Sequence, residues 1–308
     1  MSSPVIRGPA GRTGPLRIAT RGSAQARTQA ESVARALEAA HPGLVVELVF
    51  VDTVGDRRQD VPLHSIGGQG VFVKEVQRAV LDGRAHLAAH SAKDLPSTEE
   101  LGLTIGAFCR RRNPADALVG ATLQSLPVGA TVATGAVRRR AQLFAVRPDL
   151  HFVELRGNIH TRLSKVPDGG AIVMAVAALQ ILELTDLVAD ELDPTQFVPA
   201  VGQGCVAVEC ASTDVVTLEL LRAVDHPATR MAVETERAFL ATLGSGCSLP
   251  VGAHAVDREL HGFLAEPDSG RFVRQVETLP DDPARRATEA RELARQLARQ
   301  LQERLQSP

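Results

Sequence analysis

The alternation of short apolar runs with amphipathic segments most constrains how this chain can fold. Residues 16–20 are predicted to form a buried strand, Ser23 is predicted to cap a helix, and the apolar positions that follow recur at helical spacing. The same order of strand, turn and helix recurs within residues 44–89 and again after Asn113-Pro114. This βαβ repetition predicts mostly parallel sheets, whose ligand sites lie beyond the carboxyl ends of the strands.

The pattern changes after about residue 213, where helical stretches, three short strands and a leucine-striped helix indicate a small α+β domain. We therefore predict an α/β fold with two bilobed, periplasmic-binding-protein-like α/β domains and a small C-terminal α+β domain. The predicted boundaries are 1–15 for a disordered lead-in, 16–108 with 203–222 for domain 1, 109–202 for domain 2, and 223–308 for domain 3.

Composition and charge exclude several classes of function. The net charge of −2 and the lack of tyrosine and tryptophan argue against nucleic-acid binding. No run approaches the roughly 20 apolar residues that span a bilayer, and the lead-in lacks the apolar core of a signal peptide. We therefore predict a cytoplasmic protein whose four cysteines are thiols. No HExxH motif is present, and no metal site is predicted.

Lys93 and Asp94 lie side by side a few residues after the apolar, strand-like run 85–89. Burying either charge alone costs several kcal/mol, so each needs a partner or a ligand. A structural ion pair would satisfy that need. The arginines and the cysteine described next favour a reactive site instead.

Arginines recur at predicted strand-to-helix junctions. Arg21 lies two residues before Ser23, and residues 138–140 place three positive charges at a helix start, where they oppose the helix dipole. Arg156 and Arg162 repeat the theme at the next junction. A carboxylate or phosphate ligand would compensate these charges, as would a nearby acidic side chain. The chain has no Walker-type or GxGxxG loop, which argues against nucleotides.

Cys247 differs from the other cysteines in its setting. It lies in a loop of small residues, 243–250, and could be either a reactive thiol or an exposed one without a role. Cys109, Cys205 and Cys210 lie in apolar segments and are predicted to be core thiols.

Five segments, in their order along the chain, resemble the porphobilinogen deaminase family, also called hydroxymethylbilane synthase. They are Ile18-Ala19-Thr20-Arg21-Gly22-Ser23, His90-Ser91-Ala92-Lys93-Asp94-Leu95-Pro96, Leu155-Arg156-Gly157-Asn158, Pro199-Ala200-Val201-Gly202-Gln203-Gly204 and Gly246-Cys247. The resemblance implies a transferase of tetrapyrrole (porphyrin and heme) biosynthesis, with a catalytic cleft between its first two domains. Such an enzyme joins four porphobilinogens head to tail into hydroxymethylbilane and releases ammonia at each step.

The resemblance also implies a role for each site residue. Cys247 would hold a dipyrromethane cofactor through a thioether, and Asp94 would be the catalytic carboxylate facing the pyrrole nitrogens. The implied cofactor-binding residues are Lys93, Ser23, Arg138, Arg139 and Thr134, and the implied substrate-binding residues are Arg21, Arg156, Arg162 and Phe72. The implied protein is a monomer that passes its product to uroporphyrinogen-III synthase.

Several positions depart from the family pattern. Gly135 and Ala136 replace two hydroxyl residues, Ser65 and Gln69 stand where the family loop carries lysines, and Ile181 stands where it carries an arginine. These departures leave two alternatives: a weak or silent paralogue that binds pyrrole polycarboxylates, and a bilobed solute-binding or regulatory sensor. The presence of Lys93, Asp94 and Cys247 together favours the enzyme.

Overall fold

The computed structural model describes residues 14–53, 55, 70, 72–244, 250–266 and 270–306. Ser65, Gln69 and Cys247 lie outside the described residues. Residues 1–13 of the predicted lead-in lie outside them as well. Among the described helices, none is both long and apolar enough to cross a bilayer.

The secondary structure follows the predicted alternation closely. The strands are β1 (Leu16–Arg21), β2 (Val46–Val51), β3 (Leu87–Ser91), β4 (Leu103–Phe108), β5 (Asp116–Val119), β6 (Thr131–Ala133), β7 (His151–Val153), β8 (Ala171–Ala175), β9 (Asp190–Leu192), β10 (Val206–Ala211), β11 (Val251–Val256), β12 (Glu259–Ala265) and β13 (Phe272–Thr278). The helices are α1 (Ala24–Ala40), α2 (Lys74–Leu81), α3 (Val137–Val146), α4 (Ile159–Leu163), α5 (Val176–Gln180), α6 (Val215–Leu221), α7 (Pro227–Leu243) and α8 (Pro283–Gln306), with 3-10 turns at Ala92–Asp94 and Thr185–Leu187.

The chain divides into two compact units. Of the described residues, 14–53, 55, 70, 72–111 and 205–230 form the first unit, and 112–204, 231–244, 250–266 and 270–306 form the second. The second unit holds two separate sheets, so the boundary predicted between domains 2 and 3 falls inside it and stays a prediction.

The first unit is built on the sheet β2-β1-β3-β10-β4, in which only β10 runs against its neighbours. Successive side chains of a strand point to opposite faces, and the core follows this rule. Ile18 packs in the cluster that contains Val33 and Leu37 of α1, whereas Ala19 packs with Val76 of α2. The strand at 206–211 therefore returns to the first sheet, as the sequence predicts.

The second unit repeats this plan with the sheet β7-β6-β8-β5-β9, in which β5 is the reversed strand. Each reversed strand, β5 or β10, is the one that follows a crossing of the chain between the units. The rest of this unit is the antiparallel sheet β11-β12-β13, whose core joins Phe239 of α7 with Leu293 and Leu297 of α8. This confirms the predicted small α+β element.

Candidate active site

The Lys93–Asp94 pair lies on a single 3-10 turn that continues β3, with both side chains half-buried. The backbone of this turn is fixed by two hydrogen bonds. The Ala92 amide donates to the Cys205 carbonyl at 2.9 Å, and the Leu95 amide donates to the Ala92 carbonyl at 3.2 Å. The start of β10 therefore holds in place the turn that carries the carboxylate.

Arg21, Ser23 and Phe72 lie in the same unit. Arg21 ends β1, and Ser23 caps α1 by accepting a hydrogen bond from the Ala26 amide at 3.3 Å. The Arg21 guanidinium lies 4.0 Å from the centre of the Phe72 ring, a cation–π contact. Because β1 and β3 are adjacent parallel strands, Arg21 and the Lys93–Asp94 turn follow strands that end at one edge of the sheet.

Arg138 and Arg139 of α3 surround the buried carboxylate of Asp116, the first residue of β5. Arg138 Nη2 donates to Asp116 Oδ2 at 2.7 Å and its Nη1 to the Val198 carbonyl at 2.7 Å. Arg139 donates to Asp116 Oδ1 from Nε at 3.0 Å and from Nη2 at 2.7 Å, and its Nη1 donates to the Val173 carbonyl at 3.0 Å. The sequence left open whether a ligand or an acidic side chain compensates these arginines. In the structure, the acidic side chain of Asp116 does so.

Asp116 is completely buried. Burial alone would raise the pKa of this carboxyl, but the charges of Arg138 and Arg139, with hydrogen bonds from Arg139 and Gln203, hold its pKa well below the usual range. Gln203 Nε2 donates to Asp116 Oδ1 at 2.9 Å and to the Pro114 carbonyl at 2.7 Å. Sequence reasoning missed Asp116 as a partner, although a carboxylate at the head of an apolar run and three arginines in need of one were both visible.

Thr134, Arg156 and Arg162 lie near the ends of β6 and β7, which are parallel neighbours. Thr134 is buried, and its hydroxyl accepts a hydrogen bond from the Ala136 amide at 3.3 Å. Arg156 follows β7, and Arg162 of α4 donates from Nε to the Gly157 carbonyl at 2.8 Å. The structure therefore brings Thr134 and the arginines of the second unit to one edge of its larger sheet.

Gly157 shows why the turn at this edge needs glycine. Its φ is +117°, and a Cβ there would lie 2.7 Å from Thr161 Cγ2. Both the left-handed backbone and the close approach exclude a larger residue. Asn158 then caps α4 by accepting a hydrogen bond from the Thr161 amide at 2.9 Å.

The structure shows the surroundings of two positions that depart from the family pattern, Gly135 and Ile181. At Gly135 a Cβ would come 2.8 Å from the Leu155 carbonyl oxygen, so a serine would require the backbone to shift. Ile181 is buried where α5 ends, and arginine is seldom fully buried without a partner.

The third arginine of the cluster, Arg140, is exposed and lies 5.9 Å from the centre of the Phe152 ring. It lines a pocket of about 330 Å³ between α3 and the third sheet, together with Phe144 and Phe272. None of the predicted site residues that the structure describes lines this pocket.

Each unit has hydrogen-bond donors and cationic side chains near the ends of its parallel strands. The first unit also has the half-buried carboxylate of Asp94. Such a donor set suits an organic ligand with several carboxylates, because guanidinium and ammonium groups bind carboxylates through charge-assisted hydrogen bonds. The described residues hold no group of three or more His, Cys, Asp or Glu side chains able to bind a metal ion. Fold and site thus define an α/β protein with cationic side chains near the carboxyl ends of its parallel strands.

The chain belongs to the porphobilinogen deaminase family. Residues 16–219 match the family model "Porphobilinogen deaminase, dipyromethane cofactor binding domain", and residues 230–303 match "Porphobilinogen deaminase, C-terminal domain". The family predicted from the sequence motifs is confirmed.

Relatives with the name porphobilinogen deaminase align over most of the chain. The protein from Roseiflexus castenholzii is 46% identical over 279 residues, which cover 87% of this chain and 92% of that protein. The protein from Nitratidesulfovibrio vulgaris is 45% identical over 271 residues, covering 85% and 86%. Among solved structures, a TRAP periplasmic solute binding protein from Desulfovibrio salexigens aligns with a TM-score of 0.41 and 11% identity, over 73% of this chain and 75% of that one.

Proposed function

We propose that the protein is a porphobilinogen deaminase, a transferase that joins four porphobilinogens head to tail into hydroxymethylbilane and releases ammonia at each step. The observation that carries the proposal is the Lys93–Asp94 turn at the end of β3, in a chain that belongs to this family over both matched regions. The residues present fit the dipyrromethane cofactor of the family domain, because they pair a carboxylate for pyrrole N–H groups with several cations for acidic side chains.

Asp94 is assigned the catalytic role. A carboxylate accepts hydrogen bonds from pyrrole N–H groups and stabilises positive charge that develops on the substrate as ammonia leaves. It can also take part in the proton transfers that ammonia loss and carbon–carbon bond formation require. When bound, the dipyrromethane supplies the pyrrole carbon at which the chain grows.

The remaining residues are assigned to binding. In the first unit, Lys93 and Ser23 would hold the cofactor, and Arg21 with Phe72 would hold the substrate. The Arg21–Phe72 contact supports this, since the ring orients the guanidinium without using its N–H donors.

In the second unit, Arg138, Arg139 and Thr134 would hold the cofactor, and Arg156 and Arg162 the substrate. A guanidinium carries five N–H groups. The bonds described above use two N–H groups of Arg138 and three of Arg139. Each guanidinium can therefore hold Asp116 and a ligand carboxylate at once.

Cys247 is assigned the thioether to the cofactor. The reactive form of cysteine is the thiolate. At two of the other cysteines, Cys109 and Cys210, the thiolate is unfavourable. Burial, with a smaller contribution from Asp225, raises the pKa of Cys109 to about 11, and burial raises that of Cys210 to about 11 as well. Cys205 is buried too, which supports Cys247 as the cysteine that reacts.

We also place the protein in the cytoplasm as a monomer that passes hydroxymethylbilane to uroporphyrinogen-III synthase. Cys109, Cys205 and Cys210 form no disulfide with one another, which is typical of a reducing compartment.

Intact-protein mass spectrometry before and after addition of porphobilinogen tests the proposal. The expected result is a mass higher than that of the chain by one dipyrromethane, followed by a ladder of added pyrroles. The Cys247→Ser variant should lack the added mass, and a loaded variant would refute that attachment. A loaded protein without the ladder would favour the weak paralogue, and an unmodified mass after substrate addition would refute the deaminase.

A further inference from the structure

A buried polar cluster in the first unit takes no part in the binding described above. Its members are Glu209 of β10, His90 of β3 and Gln77 of α2, each at most 5% exposed. Gln77 Nε2 donates to both carboxylate oxygens of Glu209, at 3.1 and 3.0 Å. His90 Nε2 lies 3.0 Å from Glu209 Oε2, at an angle outside the hydrogen-bonding range. One carboxylate thus joins a helix and two strands.

The sheet geometry directs these side chains to one another. In the antiparallel pairing of β3 with β10, His90 lies opposite Ala207 and Glu209 lies opposite Ala88, so His90 and Glu209 are diagonal neighbours on one face. The register of β10 against β4 shifts between Val208 and Glu209. Such bulges re-aim a side chain and are frequent next to active sites.

The elements that the cluster joins both lead to proposed site residues. From His90, β3 continues into the turn that carries Asp94. At the other end of the link, the amide of Lys74, the first residue of α2, donates to the Gly70 carbonyl at 3.1 Å. A Cβ on Gly70 would lie 3.7 Å from Pro96 Cγ, so the start of α2 lies beside the residues that follow Asp94.

Phe72 lies two residues before the start of this helix and contacts Arg21 through its ring. The position of α2 therefore affects Phe72, which is assigned to substrate binding, and the position of β3 affects the catalytic Asp94. Glu209 accepts hydrogen bonds from Gln77 of α2 and lies against His90 of β3.

Stability alone does not account for three polar side chains at this place. A buried carboxylate is unfavourable unless its partners are all present, and apolar side chains of similar volume often stabilise a fold as well or better. An apolar contact, however, permits small shifts, whereas hydrogen bonds to a carboxylate fix distance and direction.

We propose that Glu209 is a positioning residue for Asp94, acting through His90 and Gln77 to fix the turn 92–94 relative to α2. The proposal rests on the function proposed above. A misplacement of about 1 Å in a catalytic group can lower a rate about a hundredfold. Loss of this cluster should therefore lower the turnover rate, although Glu209, His90 and Gln77 are not assigned to ligand binding.

The Glu209→Gln variant of the full-length protein tests the proposal, because it keeps the size of the side chain and removes its charge. We expect kcat, measured per folded and cofactor-loaded molecule, to fall about ten- to a hundredfold. KM should stay within about threefold of the original, since the ligand contacts remain. A second readout needs no activity: by hydrogen-exchange mass spectrometry, the amides of 72–78 and 92–95 should exchange faster in the variant.

Glu236→Gln is the matched control. Glu236 is a buried carboxylate of the second unit that accepts hydrogen bonds from the Gly202 amide at 2.7 Å and the Ala255 amide at 2.9 Å, and it lies 3.6 Å from His254 Nδ1. This variant should lower the melting temperature as Glu209→Gln does. Its kcat should stay within about twofold of the original, and exchange at 72–78 and 92–95 should be unchanged.

The proposal is overturned if Glu209→Gln keeps kcat within about twofold, if kcat falls without faster exchange at 92–95, or if the control loses kcat equally. Should Glu209→Gln fail to fold, Gln77→Met removes the link to α2 at similar volume. It should lower kcat about three- to tenfold with faster exchange at 72–78, and an unchanged kcat would refute the proposal. If the unmutated protein neither loads cofactor nor turns over, the proposed function fails, and the exchange comparison of the two glutamate variants alone decides whether Glu209 holds the turn.

Discussion

In the first unit, Lys93 and Asp94 are half-buried on one 3-10 turn, whereas in the second unit Arg138 and Arg139 are buried around Asp116. Both sites follow the same pattern of a strand end with charged residues. Asp94 of the first unit is half-buried, whereas Asp116 of the second is completely buried and compensates the charges of Arg138 and Arg139. The comparison teaches that similar sequence signals, charged residues beside a strand end, can occur in two different electrostatic settings.

Replacing Asp94 by Ala should produce the largest change in activity. General acid–base groups contribute about 10²- to 10⁴-fold to a rate, so turnover should fall by this order while the melting temperature stays close to that of the unmutated protein. Product formation and a thermal melt measure the two quantities. Retained turnover would remove the catalytic assignment and break the contrast between the two carboxylates.

Replacing Asp116 by Asn should instead produce the largest change in stability. Breaking a buried ion pair by removing one partner costs about 3–5 kcal/mol, because two buried guanidinium groups lose their compensating charge. Urea unfolding measures the free energy of unfolding. Asp149→Asn, which breaks the more exposed pair with Arg147, is the control and should have a much smaller effect; equal losses would show that the buried network is not special.

The original protein and the Asp116→Asn variant should also differ in how their free energy of unfolding depends on pH. Because the folded-state pKa of Asp116 lies well below its unfolded value of about 3.9, its contribution to stability is present above that value and is lost as the pH falls toward the folded pKa. The stability difference between the original protein and Asp116→Asn should therefore be constant at about pH 5–7 and shrink below about pH 4. Urea unfolding at a series of pH values tests this, and a difference that grows in acid would contradict it.

The smallest effects should come from restoring the two missing hydroxyls before α3. Gly135→Ser should destabilise by about 1–3 kcal/mol, because its Cβ would meet the Leu155 carbonyl oxygen at 2.8 Å. Ala136→Ser, at the N-cap of α3, should stabilise by about 0.5–1 kcal/mol. Thermal melts of the two single variants separate these signs; two stabilised variants would mean that the close approach at Gly135 relaxes without strain.

Much of the fold could be predicted because it depends on local patterns. Three elements are predicted by signals that lie within the element or next to it. These signals are the apolar run at 16–20, the cap at Ser23 and the leucine stripe near residue 293. The strands β4, β5 and β9 were not predicted. Each pairs antiparallel with strands that are distant along the chain, and strand formation depends on such neighbours.

The site divides in the same way. Lys93, Asp94 and Arg21 could be found because each lies within a few residues of the end of a predicted strand. The bonds of Asp116 to Arg138 and of Gln77 to Glu209 could not, since they join residues 22 and 132 positions apart. Distances of that kind are set by tertiary packing, which no periodicity in a single sequence reports.

The place of β10 between β3 and β4 has a consequence for how the protein is synthesised. Among the described strands β4 pairs with β10 alone, so this pairing waits until residues 206–211 have left the ribosome. The five strands of the second sheet, by contrast, all lie within residues 116–192 and can pair earlier. The sheet that begins first along the chain is therefore completed only after the sheet that begins second.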